Sequence, residues 1–148
     1  MANINHGGMH RPSGRMGSIC LVALILSLTG AQAAEQAHTT YQGAWLAQGS
    51  SCADVYSSGG KGVSFKQPID IFAPAFIISG NRLRTPAASC RVRSIKPAGD
   101  RHLMTLDCTN TISSSDVTVL MSTAPDGSLV RYFNAEDTIG SRYQRCSP

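Results

Sequence analysis

The chain has 148 residues, 13 of them basic and 9 acidic, with 42% hydrophobic residues and a formal net charge of +4. That length holds one modest domain with its own core. A charge this weak gives no ground for a nucleic-acid partner or an anionic membrane surface.

Arg11 and Arg15 precede an apolar run over 19–28, and the run is followed by the small-residue motif Ala31-Gln32-Ala33. This is the pattern of a secretory signal peptide cleaved after Ala33. The run is well short of the roughly 20 apolar residues that a membrane-spanning helix needs, so no membrane association is expected after cleavage. The expected organisation is a signal peptide at 1–33, a flexible leader of small polar residues at 34–40, and a single β domain at 41–148. The expected location is periplasmic or secreted. Removing Arg11 and Arg15 also lowers the net charge of the working chain.

Tyr41 to Leu46 read as a first strand, carrying the chain's one tryptophan, Trp45. Ser51 is placed to cap a helical turn that ends before the glycine-rich stretch at 57–62. Residues 63–66 form a short strand. Pro68 and Pro74 keep 69–73 from being a central strand, although its apolar content points to burial. Ala75 to Ser79, a Gly80-Asn81 turn, and Arg82 to Thr85 make a tight hairpin that sets Ile78 against Leu83 and Phe76 against Thr85.

The stretch from Cys90 to Cys108 is the most informative in the chain. Folding it about Gly99, within the turn 96–100, places Cys90 opposite Cys108, Val92 opposite Leu106 and Ser94 opposite Met104. On the other face the same register pairs Arg91 with Asp107 and Arg93 with Thr105. Further strands follow at 116–123 and, after the Pro125-Asp126-Gly127 turn, at 128–133. A polar connection over 134–140 leads to a last strand at 141–146.

Cys20 falls inside the signal, leaving Cys52, Cys90, Cys108 and Cys146 as an even set that reads as two disulfides. Three connectivities are open. The hairpin register favours Cys90–Cys108, which leaves Cys52–Cys146 to tie the start of the domain to its end. No close C-x-x-C pair is present to suggest zinc. The fold expected is all-β: an antiparallel up-and-down meander of about seven or eight strands, closed as a small barrel whose seam the Cys52–Cys146 bridge staples. A β-sandwich is the alternative.

Gly43-Ala44-Trp45 resembles the G-x-W signature of lipocalin-type barrels. In that family the tryptophan closes one end of the barrel and an arginine from the final strand packs across its ring. The resemblance implies that role for Arg142 or Arg145, although the chain is shorter than that family and lacks a T-D-Y-like motif. Across the mature chain, G-x-W followed by a cysteine, two central cysteines and a terminal Tyr143-x-Arg145-Cys146 are similar to a set of small exported four-cysteine bacterial proteins. That likeness implies fold and export and no activity. Small periplasmic inhibitors of secreted proteases have a similar eight-stranded, disulfide-bearing barrel and act through an N-terminal segment, for which 34–40 is the corresponding stretch.

Chemistry is sparse. His38 lies in the leader, His102 beside the Gly99 turn reads as a solvated histidine, and no nucleophile motif or phosphate-cradling loop occurs. No catalytic, metal or cofactor residues are assigned. Arg82, Arg84, Arg91 and Arg93 recur at period two on neighbouring strands, a candidate patch for an anionic ligand or partner or simply a solvated outer face. Phe76, Ile78, Leu83, Val92, Met104 and Leu106 either line a ligand cavity or fill a core. The function expected is a non-catalytic, monomeric exported binding module, holding a small apolar ligand in the barrel or a protein on its surface. A protease-inhibitor-like protein is the alternative, and an enzyme with an unrecognised site the third reading.

Overall fold

The computed structural model describes residues 38–60 and 62–147. The signal-peptide reading, and residues 34–37 of the expected leader, lie outside the described residues. In chain order the elements are β1 (Gly43–Ala47), α1 (Cys52–Val55), β2 (Tyr56–Gly59), β3 (Gly62–Phe65), β4 (Ala75–Ser79), β5 (Arg82–Arg84), β6 (Ser89–Ala98), β7 (Arg101–Thr109), β8 (Ser114–Thr123), β9 (Leu129–Tyr132) and β10 (Ser141–Cys146). Eight of these strands close a barrel in the order β1-β10-β9-β8-β7-β6-β5-β4, and β2 and β3 form a separate two-stranded sheet. Every ladder among the described residues is antiparallel. The sandwich alternative is therefore set aside.

β1 is the seam strand. It pairs with β10 on one side, Ala44 facing Cys146 and Ala47 facing Tyr143. On the other side it pairs with β4, Gly43 facing Ile78 and Leu46 facing Ala75. Its Gly-Ala-Trp-Leu-Ala sequence has no polar alternation because both faces are covered. Trp45 points inward and is fully buried; Ala44 and Leu46 point outward and are buried too. The outward pair, with Ile77, Ala75 and Cys146, packs under Tyr56, with Cys52, Val55, Val63 and Phe65 around it. The Tyr56 hydroxyl donates to the Trp45 carbonyl at 2.6 Å, clamping this cover onto the seam. Cys52 on α1 and Cys146 on β10 are disulfide-bonded, as are Cys90 and Cys108. Two such bridges fit an oxidising compartment. No described helix is long and apolar enough to cross a membrane.

Several local expectations shift. The first strand begins at Gly43 rather than Tyr41, and residues 38–40, expected as the end of a flexible leader, are helical. Gln42 Nε2 donates to the His38 carbonyl at 3.0 Å, and Arg145 Nη2 to that of Thr40 at 2.9 Å. Ser51 occupies the N-cap position of α1, but its side chain makes no capping bond. Ile69, Ile71 and Phe72 are exposed rather than buried, Phe72 at 86%. In the β4–β5 hairpin the Ile78–Leu83 pair forms as expected, whereas the ladder stops at Arg84, before Thr85.

The cysteine hairpin holds the expected pairs Cys90–Cys108, Arg91–Asp107 and Val92–Leu106, then slips. Ser94, not Arg93, faces Thr105, and Ile95, not Ser94, faces Met104, with a bulge at Arg93. The reason lies in the turn. Ala98 pairs with Arg101 around a two-residue Gly99-Asp100 loop, with Gly99 at φ +67°. A two-residue loop centres half a residue later than a fold about Gly99, so one strand must carry an extra residue, and the bulge absorbs it. Ile95 thereby enters the core in place of Ser94. The bulge also leaves Arg93, rather than Arg91, ion-paired with Asp107.

Burial pushes both the Tyr41 and the Tyr56 phenols from their ordinary value of 10.0 up to about 12. Below pH 10 each is protonated in the folded and unfolded chain alike, so it adds no pH dependence. Above pH 10 the unfolded chain ionises first, and stability is expected to fall as pH rises from 10 toward 12. Urea unfolding at mildly and strongly alkaline pH measures this, and Tyr41→Phe should flatten part of the decline. An unchanged stability across that window would contradict the burial of both phenols.

Candidate functional site

The barrel is plugged at one end and hollow toward the other. Tyr41, Trp45, Ile78, Ile95, Met104 and Leu129 fill the end nearest the start of β1. Arg145 stands over the Trp45 ring at 4.4 Å and donates from Nη1 to the Gln42 carbonyl at 2.7 Å. One guanidinium thus holds the ring face and the chain entering β1. Gly43 is required there: it sits at φ +121°, and a side-chain carbon on it would come within 3.1 Å of Arg145 Nη1. Trp45 Nε1 donates to the Tyr41 carbonyl at 2.9 Å. Of the two arginines considered for this role, Arg145 takes it. Arg142 bonds Asp126 and the Ser128 hydroxyl instead, at 3.2 and 2.9 Å.

His102 is no solvated strand-end residue. Its Nδ1 is hydrogen-bonded to the Tyr41 hydroxyl at 2.8 Å, and its ring meets Tyr41 edge-on. The Tyr41 hydroxyl also lies 3.3 Å from the Met121 carbonyl. The pair ties the N-terminal turn into the plug. Among the described residues no group of three or more histidine, cysteine or acidic side chains is placed to hold a metal ion.

The other half of the barrel surrounds a cavity of about 290 Å³ that is open to solvent. That lies just below the range for small-molecule sites, about 300–1,000 Å³. Its wall is apolar: Phe76, Leu83, Leu106, Val117, Val119 and Met121, with the Cys90–Cys108 bridge and the Tyr143 ring. Phe76 and Tyr143 meet edge-on with centroids 5.1 Å apart. Thr85, Ala88, Asn110 and Ser115 form the rim, and Arg131 is the only charged residue in the lining among the described residues. The six residues expected to fill a core or line a cavity therefore divide. Phe76, Leu83 and Leu106 line the space, Ile78 and Met104 belong to the plug, and Val92 packs against the same core.

Arg131 has no distinguishing signal in the sequence. β9 alternates Leu129 and Arg131 inward against Val130 and Tyr132 outward, and Arg131 faces the buried Met121 across the ladder. Apolar residues on both faces of this strand hide which side is inner. Once Tyr143 is known to be inward, its pairing with Leu129 sets the parity of Arg131.

The four arginines of the expected patch do not form one cluster. Arg82 and Arg91 are directly opposite on the outer wall and share an open concavity of about 400 Å³ with Asn81, Ser89, Asp107 and Thr109. Arg84 lines a different groove, beside Val63. Arg93 is committed to Asp107. With Asp107 taken by Arg93, Arg82 and Arg91 face each other as two like charges, an arrangement that costs stability.

Large apolar side chains are exposed in the connections around the hollow end. Ile112 lies in the turn between Asn110 and Ser115 of the rim, and Phe133 follows β9, with the Arg131 guanidinium 5.6 Å from its ring centroid. Comparison of the chain with known proteins finds no matching family model, no matching curated protein and no matching solved structure.

Proposed function

We propose that the protein is an exported carrier of a small, largely apolar molecule held in the open half of the barrel. The observation that carries this reading is the apolar cavity: small folded domains ordinarily fill such space with side chains, because each void forfeits packing contacts. Two disulfides and a signal-like N-terminal pattern support a carrier working in the periplasm or outside the cell. The G-x-W strand with Arg145 across the ring supports a lipocalin-like kinship. The inhibitor alternative calls for a free arm at 34–40. The hydrogen bonds that tie 38–40 to the barrel favour the carrier instead.

Titration with the neutral fluorophore N-phenyl-1-naphthylamine, displaced by decan-1-ol, tests the reading. Val117→Phe adds bulk to the cavity wall without touching the plug. It should weaken probe binding by about tenfold or more and leave the thermal midpoint unchanged or higher. Probe binding that is untouched by this substitution would put the apolar site elsewhere and remove the carrier reading.

A further inference from the structure

We infer that the ligand is an anionic amphiphile, its apolar chain inside the barrel and its small anionic headgroup, a carboxylate or a phosphate ester, at Arg131 in the mouth. The inference rests on the carrier reading above and adds the chemistry of the ligand.

An inward position on an apolar wall is an unusual setting for arginine. Its neighbours on that face, Leu129 and Met121, are 0% and 2% exposed. Arg131 itself remains exposed while lining the cavity, and its guanidinium stands 5.6 Å from the centroid of the exposed Phe133 ring. Among the described residues Arg93, Arg101 and Arg142 each stand beside a carboxylate, and none pairs with Arg131. The lining holds no acidic side chain among the described residues; its other polar members, Thr85, Asn110 and Ser115, are neutral. The guanidinium therefore presents a planar fork of donors beside an apolar hole. That fork matches the paired oxygens of a carboxylate or phosphate, and charge-assisted bonds of this type are about twice as strong as neutral ones. A neutral alcohol forgoes that gain, and an ammonium head is repelled.

Calorimetric titration of the wild-type barrel with decanoate, decyl phosphate, decan-1-ol and decylammonium tests the assignment at low and high salt. At least one of the two anions should bind about tenfold more tightly than decan-1-ol, and decylammonium more weakly than the alcohol. Whichever anion binds more tightly identifies the headgroup. The anion-to-alcohol preference should shrink toward one in Arg131→Gln, be partly kept in Arg131→Lys, and diminish in wild type at high salt. Decan-1-ol binding as tightly as both anions would overturn the anionic assignment and leave the carrier reading standing. No binding by any of the four would overturn both. If Arg131→Gln does not fold, the wild-type salt series decides, and a preference indifferent to salt would overturn the assignment.

Discussion

Replacing Cys52 and Cys146 together by serine is expected to lower the unfolding free energy by about 4–5 kcal/mol. The bridge joins residues 94 positions apart, so cutting it releases nearly the whole described chain in the unfolded state. The Cys90–Cys108 bridge closes a loop of only 18 positions, worth about 3 kcal/mol in the same picture. The seam adds to the asymmetry. Cys146 is the β10 partner of Ala44, and α1 rests on that pair, so the cover over β1 and the β1–β10 ladder share one covalent tie. Against a typical stability of about 5–15 kcal/mol, the loss leaves the double variant near its limit at ordinary temperature. Guanidinium unfolding followed by Trp45 fluorescence measures it. A loss below about 1 kcal/mol would mean that the closed seam holds without its staple.

Trp45→Ala should cost about 3–5 kcal/mol, the range for emptying a large aromatic site in a core. Trp45 is fully buried in the plug, and the change removes three things at once: the packed volume, the donor to the Tyr41 carbonyl, and the ring under Arg145. Arg145→Ala alone should cost less, since it loses the bonds to Gln42 and Thr40 but leaves no comparable void. The two residues touch, so the double variant should lose less than the sum of the singles, by about 0.5–2 kcal/mol for the ring contact. Strict additivity would show that the guanidinium over the ring is geometry without energy. Near-ultraviolet dichroism of Trp45→Phe, which keeps an aromatic plug, separates local loosening from global unfolding.

Much of the fold is legible in the sequence because several constraints coincide. Thiols, an apolar pair and an opposite-charge pair together specify the hairpin register at Cys90–Cys108, and the structure keeps it where those residues lie. The closed seam follows from pairing the last strand with the first, and the continuous apolar run of β1 agrees with a strand covered on both faces. The departures are local. A fold point on Gly99 itself is half a residue from the true centre, and that small error in a turn becomes a whole-residue bulge along the strand. Apolar content at 69–73 suggests burial, yet Pro68 and Pro74 bracket a connection that leaves Ile71 and Phe72 in solvent. Closeness to a turn suggests a wet His102, whereas its inward parity, opposite Met121, brings it to Tyr41. The cavity wall is only partly foreseeable. Where filling stops depends on side chains from all eight strands at once, which no single segment reveals. Arg131 is hidden for the same reason.

The two bridges are nested: Cys90–Cys108 lies wholly within the span of Cys52–Cys146. A chain synthesised from its N-terminus offers its bridging cysteines in the order 52, 90, 108, 146, so the first two thiols to meet an oxidant are not native partners. The inner pair is brought together by a local hairpin and forms early without help. The outer thiol must wait until the last strand has emerged and the barrel has closed around it. Oxidation faster than folding would join Cys52 to Cys90 and leave Cys108 with Cys146 as its remaining, equally non-native partner. Correct maturation therefore demands either slow oxidation or an agent that reshuffles disulfides, and the yield of native protein is set by the maturing compartment as much as by the sequence.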